Sequence, residues 1–338
     1  MQKQKVKFFF LIFLFGFSSA FCQYTEVINS NKPGFSESPY SVGTGVYQFE
    51  SNFFYRNTSI EPTFSRPQSF GADLLFRTSF LLERLELNAN ISYQRDKVAF
   101  KNVFTSHYFD SGLSEFTIGA KYLIYQQEYE DKSKEVRSWK NRFAFDTKRL
   151  IPSVAIYAGL NTDFVNDAYK TGSMSPKLGV LLQNNLSSDF NIITNFFYDK
   201  IGTDFTEYSY IITGTYNFND YWSGFLENQG IFQEFRTNSN IGVGLAYLYN
   251  KNLQINASSR FLLEGNAEGF YAGLGVSYRI DKHRDGYKEL DENGKEIKDS
   301  PISRYNKENK GFFGRLFSVF SKKEKKKSSR KRTKRRRN

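Results

Sequence analysis

Residues 270–280 read FYAGLGVSYRI. Phe270, Ala272, Leu274, Val276, Tyr278 and Ile280 fall on one parity, Tyr271, Gly273, Gly275, Ser277 and Arg279 on the other. A period of two belongs to an extended strand with one apolar face. The run is 11 residues long, while strands of water-soluble proteins average about 5–6 and a tilted membrane-crossing strand needs about 9–11. Length therefore decides for a membrane barrel over a sandwich.

The same pattern runs back to residue 45. Tyr47, Phe49, Phe53 and Tyr55 alternate with Gln48, Glu50, Asn52 and Arg56, and Ile241, Val243, Leu245, Tyr247 and Tyr249 with Asn240, Gly242, Gly244 and Ala246. Twelve runs emerge, near 45–57, 69–80, 84–95, 113–125, 150–162, 175–186, 189–200, 207–218, 221–232, 238–249, 252–263 and 269–280. Short connections such as Ser187–Asp189, Asn217–Asp220 and Asn250–Asn252 alternate with longer ones near 58–68, 96–112, 163–174 and 201–206. Short turns at one end and long loops at the other are the layout of an all-β, antiparallel up-and-down barrel of the outer membrane, with both termini on the periplasmic side. The charged stretch 126–149 lies where a short turn belongs, which leaves fourteen strands as the alternative count. Tyrosines gather near run ends (Tyr93, Tyr122, Tyr125, Tyr198 and Tyr208 among them) as interfacial girdles do. Aromatics make up 18% of the 338 residues, too many for a disordered chain.

The flanks are different. Lys3, Lys5 and Lys7, then FFFLIFLFGF at 8–17 and Ala20-Phe21-Cys22, read as a cleavable signal peptide over 1–22. Ten apolar residues span only about 15 Å, half a bilayer core. An uncleaved anchor and a lipid-modified Cys22 are the alternatives. The net charge of +12 is localised: residues 281–338 hold 21 Lys and Arg against 9 Asp and Glu, and 1–22 hold +3, leaving −3 on 23–280. We read 281–310 as a linker. In 311–338, Phe312, Phe313, Leu316, Phe317 and Phe320 mark one helix face ahead of a polybasic run, the pattern of a membrane-surface anchor for anionic lipid or cell-wall polymer. A nucleic-acid partner is not expected on an exported chain.

Residues 31–50, NKPGFSESPYSVGTGVYQFE, resemble the opening of a bacterial outer-membrane family, the transporter-like group named for meta-pathway (MetA) phenol degradation. Pro33, Gly34, Phe35, Ser36, Ser38 and Pro39 match its N-terminal motif, as do Gly45, Gln48 and Glu50, while Asn31 and Lys32 replace the usual Asp-Arg pair. Separately, Gly273, Val276 and Tyr278 resemble the C-terminal signal read by barrel insertion machinery. The family resemblance implies a barrel over about 31–280 and uptake of apolar small molecules. Segment 23–44 is then a seal or a plug.

Chemistry for catalysis is missing. Two histidines and one cysteine exclude a Cys/His zinc site and a disulfide framework by counting. His107 falls in a long connection and His283 in the tail, neither with a nucleophile pattern, so neither a catalytic residue nor a cofactor is expected. The inward positions instead carry Glu50, Asp73, Glu86, Asp199 and Glu227 with Arg56, Arg77, Lys121, Lys177, Arg260 and Arg279, besides Leu75, Ile193 and Phe197. Mixed charge fits either a salt-bridged filling or a narrow polar path. Two functions follow as expectations: a passive outer-membrane channel for small amphipathic or apolar solutes, or a closed barrel that anchors the basic tail or docks in an envelope assembly.

Overall fold

The computed structural model describes residues 25, 27–58, 68–79, 82–99, 107–127, 146–234, 237–264 and 267–283. The signal-peptide and basic-tail readings, and the linker reading beyond His283, lie outside these residues; the last strand runs to Asp281, one residue into the expected 281–310 linker. Twelve strands form one closed sheet: β1 (Val46–Thr58), β2 (Gln68–Ser79), β3 (Leu85–Ala99), β4 (His107–Tyr125), β5 (Ser153–Asn161), β6 (Ser175–Asn185), β7 (Phe190–Asp199), β8 (Glu207–Asn217), β9 (Trp222–Gln233), β10 (Thr237–Asn250), β11 (Leu253–Glu264) and β12 (Ala267–Asp281). Each pairs antiparallel with its neighbours in sequence, and β1 closes on β12 from Val46↔Asp281 to Thr58↔Gly269. The barrel count is twelve, not fourteen, because β4 pairs directly with β5 across the charged connection. Closure matters in lipid, where an open sheet edge would leave a row of backbone groups without partners.

One pair runs longer than the period-two pattern predicts. β3 and β4 stay paired out to Ala99↔His107, past a register shift between Ser92 and Tyr93, so much of the expected 96–112 loop is ladder. Arg95 lies over the Phe109 ring at 4.5 Å, which adds a cross-strand contact beyond the apolar belt. His107 thus begins a strand rather than lying in a loop.

The outer face is apolar. Leu74, Ile118, Ile156, Ile212, Leu226, Val243 and Leu274 point outward and are exposed, as a lipid-facing band requires. Paired rings flank it: Trp222–Tyr247 at 4.8 Å towards the short-turn end, and Tyr198–Tyr208 stacked at 4.4 Å towards the other. Inside, glycines make room for rings lying flat on the wall. A Cβ at Gly71 would strike the Phe54 ring, and one at Gly119 the Tyr157 hydroxyl.

The outward assignment has a measurable consequence. Leu226→Arg should destabilise the barrel by about 2–4 kcal/mol, the cost of a cation on the lipid face near the midplane, whereas Ser209→Arg, facing the lumen, should be near neutral. Urea unfolding in lipid, followed by the heat-modifiable band, checks the difference.

A plugged lumen as the candidate functional site

The barrel interior is built from charged and amide side chains that meet in pairs. Glu50 on β1, Arg77 on β2, Glu86 on β3 and Lys121 on β4 are all fully buried. Arg77 Nη1 lies 2.9 Å from Glu50 Oε1, Arg77 Nε 2.9 Å from Glu86 Oε1, and Lys121 Nζ 3.0 Å from the same Glu86 oxygen. Glu86 and Lys121 face each other directly across the ladder. A second pair forms across an intervening strand. Glu227 of β9, Gly242 of β10 and Arg260 of β11 share one register row. Gly242 has no Cβ to collide with the Arg260 stem, so the guanidinium leans over it to Glu227 at 3.0 Å.

The remaining candidates have partners of their own. Lys177 pairs with Asp199 at 3.0 Å. Asp73 accepts from Ser92 Oγ at 2.7 Å, and Arg56 donates to Ser69 Oγ at 3.3 Å. Arg279, at the short-turn end, donates to Asn252 Oδ1 at 3.0 Å and to the Thr25 carbonyl at 2.7 Å. All eleven charged candidates therefore face inward, most in ion pairs.

Residues 27–45 run through this lumen with no helix or strand of their own. Their backbone groups still need partners away from water, and the wall supplies them. Glu50 Oε2 accepts from Lys32 N and Ser30 Oγ, both at 2.8 Å. Glu227 Oε2 accepts from Phe35 N at 3.0 Å and Ser36 N at 3.2 Å. Glu86 Oε2 accepts from Val42 N at 3.0 Å. In return Arg77 donates to the Asn29 carbonyl, Lys121 to that of Ser38 and Arg260 to that of Pro33, at 2.8, 2.8 and 3.0 Å. Each buried ion pair thus also grips the segment.

Neutral side chains complete the hold. Asn195 accepts from Glu37 N at 2.7 Å and donates back to its carbonyl at 2.8 Å, a two-bond clasp like one step of a β-ladder. Gln183 accepts from Ser38 Oγ, while Ser153 and Asn185 meet the Tyr40 hydroxyl. These residues carried no charge and no motif to single them out. Their inward parity was the only signal. The family-like motif falls on the gripped stretch: Pro33, Gly34, Ser36, Ser38 and Pro39 are buried, and Phe35 is half-buried.

The segment divides the lumen into two cavities. The outer, of about 770 Å³, opens among Thr58, Gln94, Ser114 and Glu207 at the long-loop end. The inner, of about 630 Å³, opens among Ser188, Asp189, Asn219 and Asp220 at the short-turn end. Asn31, Lys32, Gly34 and Ser36 line both, so the partition there is one chain thick. The outer cavity mixes polar side chains with Phe54, Leu75, Tyr157, Phe197, Ile211 and Tyr271. Ile193 lines the inner one. At the outer mouth, Tyr169 of the β5–β6 loop donates to Asp96 at 2.9 Å; burial and that carboxylate push its hydroxyl up to about 12, so it stays a neutral donor.

Fold and lumen together define a plugged outer-membrane-type β-barrel. The chain matches the family described as "Putative MetA-pathway of phenol degradation" over residues 30–280, and so belongs to it. No curated relative matches the chain. Among solved structures, an outer membrane channel from Pseudomonas putida F1 shares the fold, with 12% identity, 75% of this chain and 100% of that one covered, and a TM-score of 0.54. More distant are the KdgM porin (11% identity, 68% and 99% covered, TM-score 0.41) and the CymD monoaromatic hydrocarbon channel (8%, 80% and 96%, 0.40). All three are described as channels or porins.

Removing one ion tests the network. Arg77→Met strands Glu50 and Glu86 without their shared cation, and should cost about 3–5 kcal/mol in urea unfolding, as breaking a buried pair does. Hydrogen exchange should also quicken at Lys32 and Val42, whose amides those carboxylates hold.

Proposed function

We propose that the protein is a passive outer-membrane channel for small amphipathic or apolar solutes, closed in this state by its own residues 27–42. The observation that carries this reading is the pair of cavities, each reaching one mouth of the barrel, parted by a single thickness of chain. A barrel evolved only as an anchor has no need of a vestibule at both ends. The mixed lining supports amphipathic cargo, since Phe54, Tyr157, Phe197 and Tyr271 offer ring faces beside Asp73, Lys177 and Asp199. The family description and the aromatic-hydrocarbon channel among the distant structural neighbours agree with such cargo. The plug itself is extractable in principle, because it holds no regular structure and most of its bonds are to wall side chains, with single bonds such as Ile28 N to the Lys251 carbonyl rather than a continuous ladder.

Planar-bilayer recording tests the reading. The full chain should conduct weakly, and a 27–42 deletion that keeps the heat-modifiable barrel should conduct strongly. A deletion variant that folds and stays silent would leave the closed anchoring barrel as the function.

The orientation belongs to the same proposal. An even strand count puts both barrel ends on one side, and short turns mark that side as periplasmic. The polybasic stretch at 321–338 would then lie in the periplasm, with anionic lipid or cell-wall polymer as its partner, at about 1 kcal/mol per Lys or Arg near the surface. Protease added outside intact cells should spare residues 281–338. The isolated 311–338 peptide should bind anionic vesicles or sacculi at low salt and release at high salt.

A further inference from the structure

We propose that Arg95 and Lys97 form a site on the outside of the barrel for a phosphate monoester of the glycolipid in the outer leaflet. The inference goes beyond the channel reading and takes from it only the orientation, with the long-loop end outward.

The twelve strands carry eight Lys and Arg. Six are the lumen cations described above. The other two, Arg95 and Lys97, stand on the opposite face of β3. Arg95 is opposed to Phe70, which is 66% exposed on the lipid side, and Tyr93, two residues before it, is 53% exposed. Directly opposed residues share a face of the sheet, as do residues two apart on one strand. A cation on the lipid face is costly at the midplane and cheap only near the interface. These two sit where the aromatic girdle ends and the β3–β4 ribbon rises beyond the apolar belt, at the level of lipid phosphates.

Their charge is unspent. Among the described residues neither makes a hydrogen bond or an ion pair. The Phe109 ring holds the Arg95 guanidinium from one side and uses none of its N–H donors. The acids on these strands, Asp96 and Asp110, oppose each other on the inner face, where Asp96 accepts from Tyr169. Lys170 and Lys200, on loops at the same end, are by contrast paired with Asp167 and Glu207.

Two cations about 7 Å apart along one strand select what they bind. A phosphate monoester carries a charge of about −1.5 to −2 at neutral pH, and a guanidinium can take two of its oxygens at once. A phosphodiester lipid offers a single charge. Monoesters on an acylated sugar are what the outer leaflet of an outer membrane presents. Room for an acyl chain lies beside the two cations. Ala72 is opposed to Phe53 on one side and to Tyr93 on the other, with Phe70 and Leu74 two residues away along β2. All four large side chains are exposed and the Ala72 methyl leaves the space between them open, so a shallow slot runs down the lipid face from Arg95.

Full-length wild type and the Arg95→Gln/Lys97→Gln double variant, in phosphatidylcholine nanodiscs, can be titrated with diphosphoryl lipid A or with phosphatidylglycerol and the bound lipid read by native mass spectrometry. The double variant should bind lipid A about tenfold more weakly than wild type, the margin of one charge-assisted hydrogen bond, and phosphatidylglycerol less than about twofold more weakly. The basic tail is present in both proteins, so the difference between them reads the strand site. Lys97→Gln alone should lose about threefold for lipid A, and it carries the test if the double variant gives no heat-modifiable barrel. Folded variants that bind lipid A as tightly as wild type would overturn the proposal, and so would an equal loss for both lipids. Conductance plays no part in this readout, so a silent 27–42 deletion leaves the result standing. Removal of residues 281–338 by protease outside intact cells would fail the orientation and, with it, the leaflet.

Discussion

Charge buried inside the barrel is the constraint on which the rest depends. A carboxylate or guanidinium taken out of water costs several kcal/mol unless it is paired and its remaining hydrogen-bonding atoms are used. Arg77 meets that condition with Glu50, Glu86 and the Asn29 carbonyl; Glu227 meets it with Arg260 and the amides of Phe35 and Ser36. Neither the wall nor the plug satisfies its polar groups alone. The ion pairs leave lone pairs and protons over, and the irregular segment brings the backbone groups that use them.

That mutual dependence explains how a filled lumen can belong to a channel. A core of aliphatic side chains would close the barrel permanently. Here the filling is a strand of backbone held by discrete polar bonds, and each bond has a substitute in water or in a polar solute. The contacts reach the segment from β1 through β7 and from β9, β11 and β12, so the plug is centred in the lumen rather than laid along one wall. Aromatic faces above it supply apolar surface without adding a net charge.

Much of this was legible along the chain. Alternation at 270–280 and its eleven companions fixed which residues face lipid, because pleating leaves no other choice once a strand is long enough to cross. The inward charges followed from parity alone. Partners did not. Nothing in the spacing of Glu227 and Arg260 says they meet across β10; that depends on the register row they share with Gly242. Asn195 and Gln183 looked like any inward amides until the plug was seen between them. The extension of β3 and β4 to Ala99↔His107 was also hidden, since beyond the membrane both faces meet water and the alternation fades.

By itself, then, the sequence determined the barrel, its lipid-facing band and the inventory of its lumen, all local consequences of a two-residue repeat against an apolar solvent. The course of residues 27–45 was decided only in three dimensions. A proline- and serine-rich stretch without periodicity has no preferred structure of its own, and its position is set by side chains from strands as distant in sequence as Glu50 and Ser277. Only closure of the sheet brings those groups within reach of one another, and with them the partition that separates the two cavities.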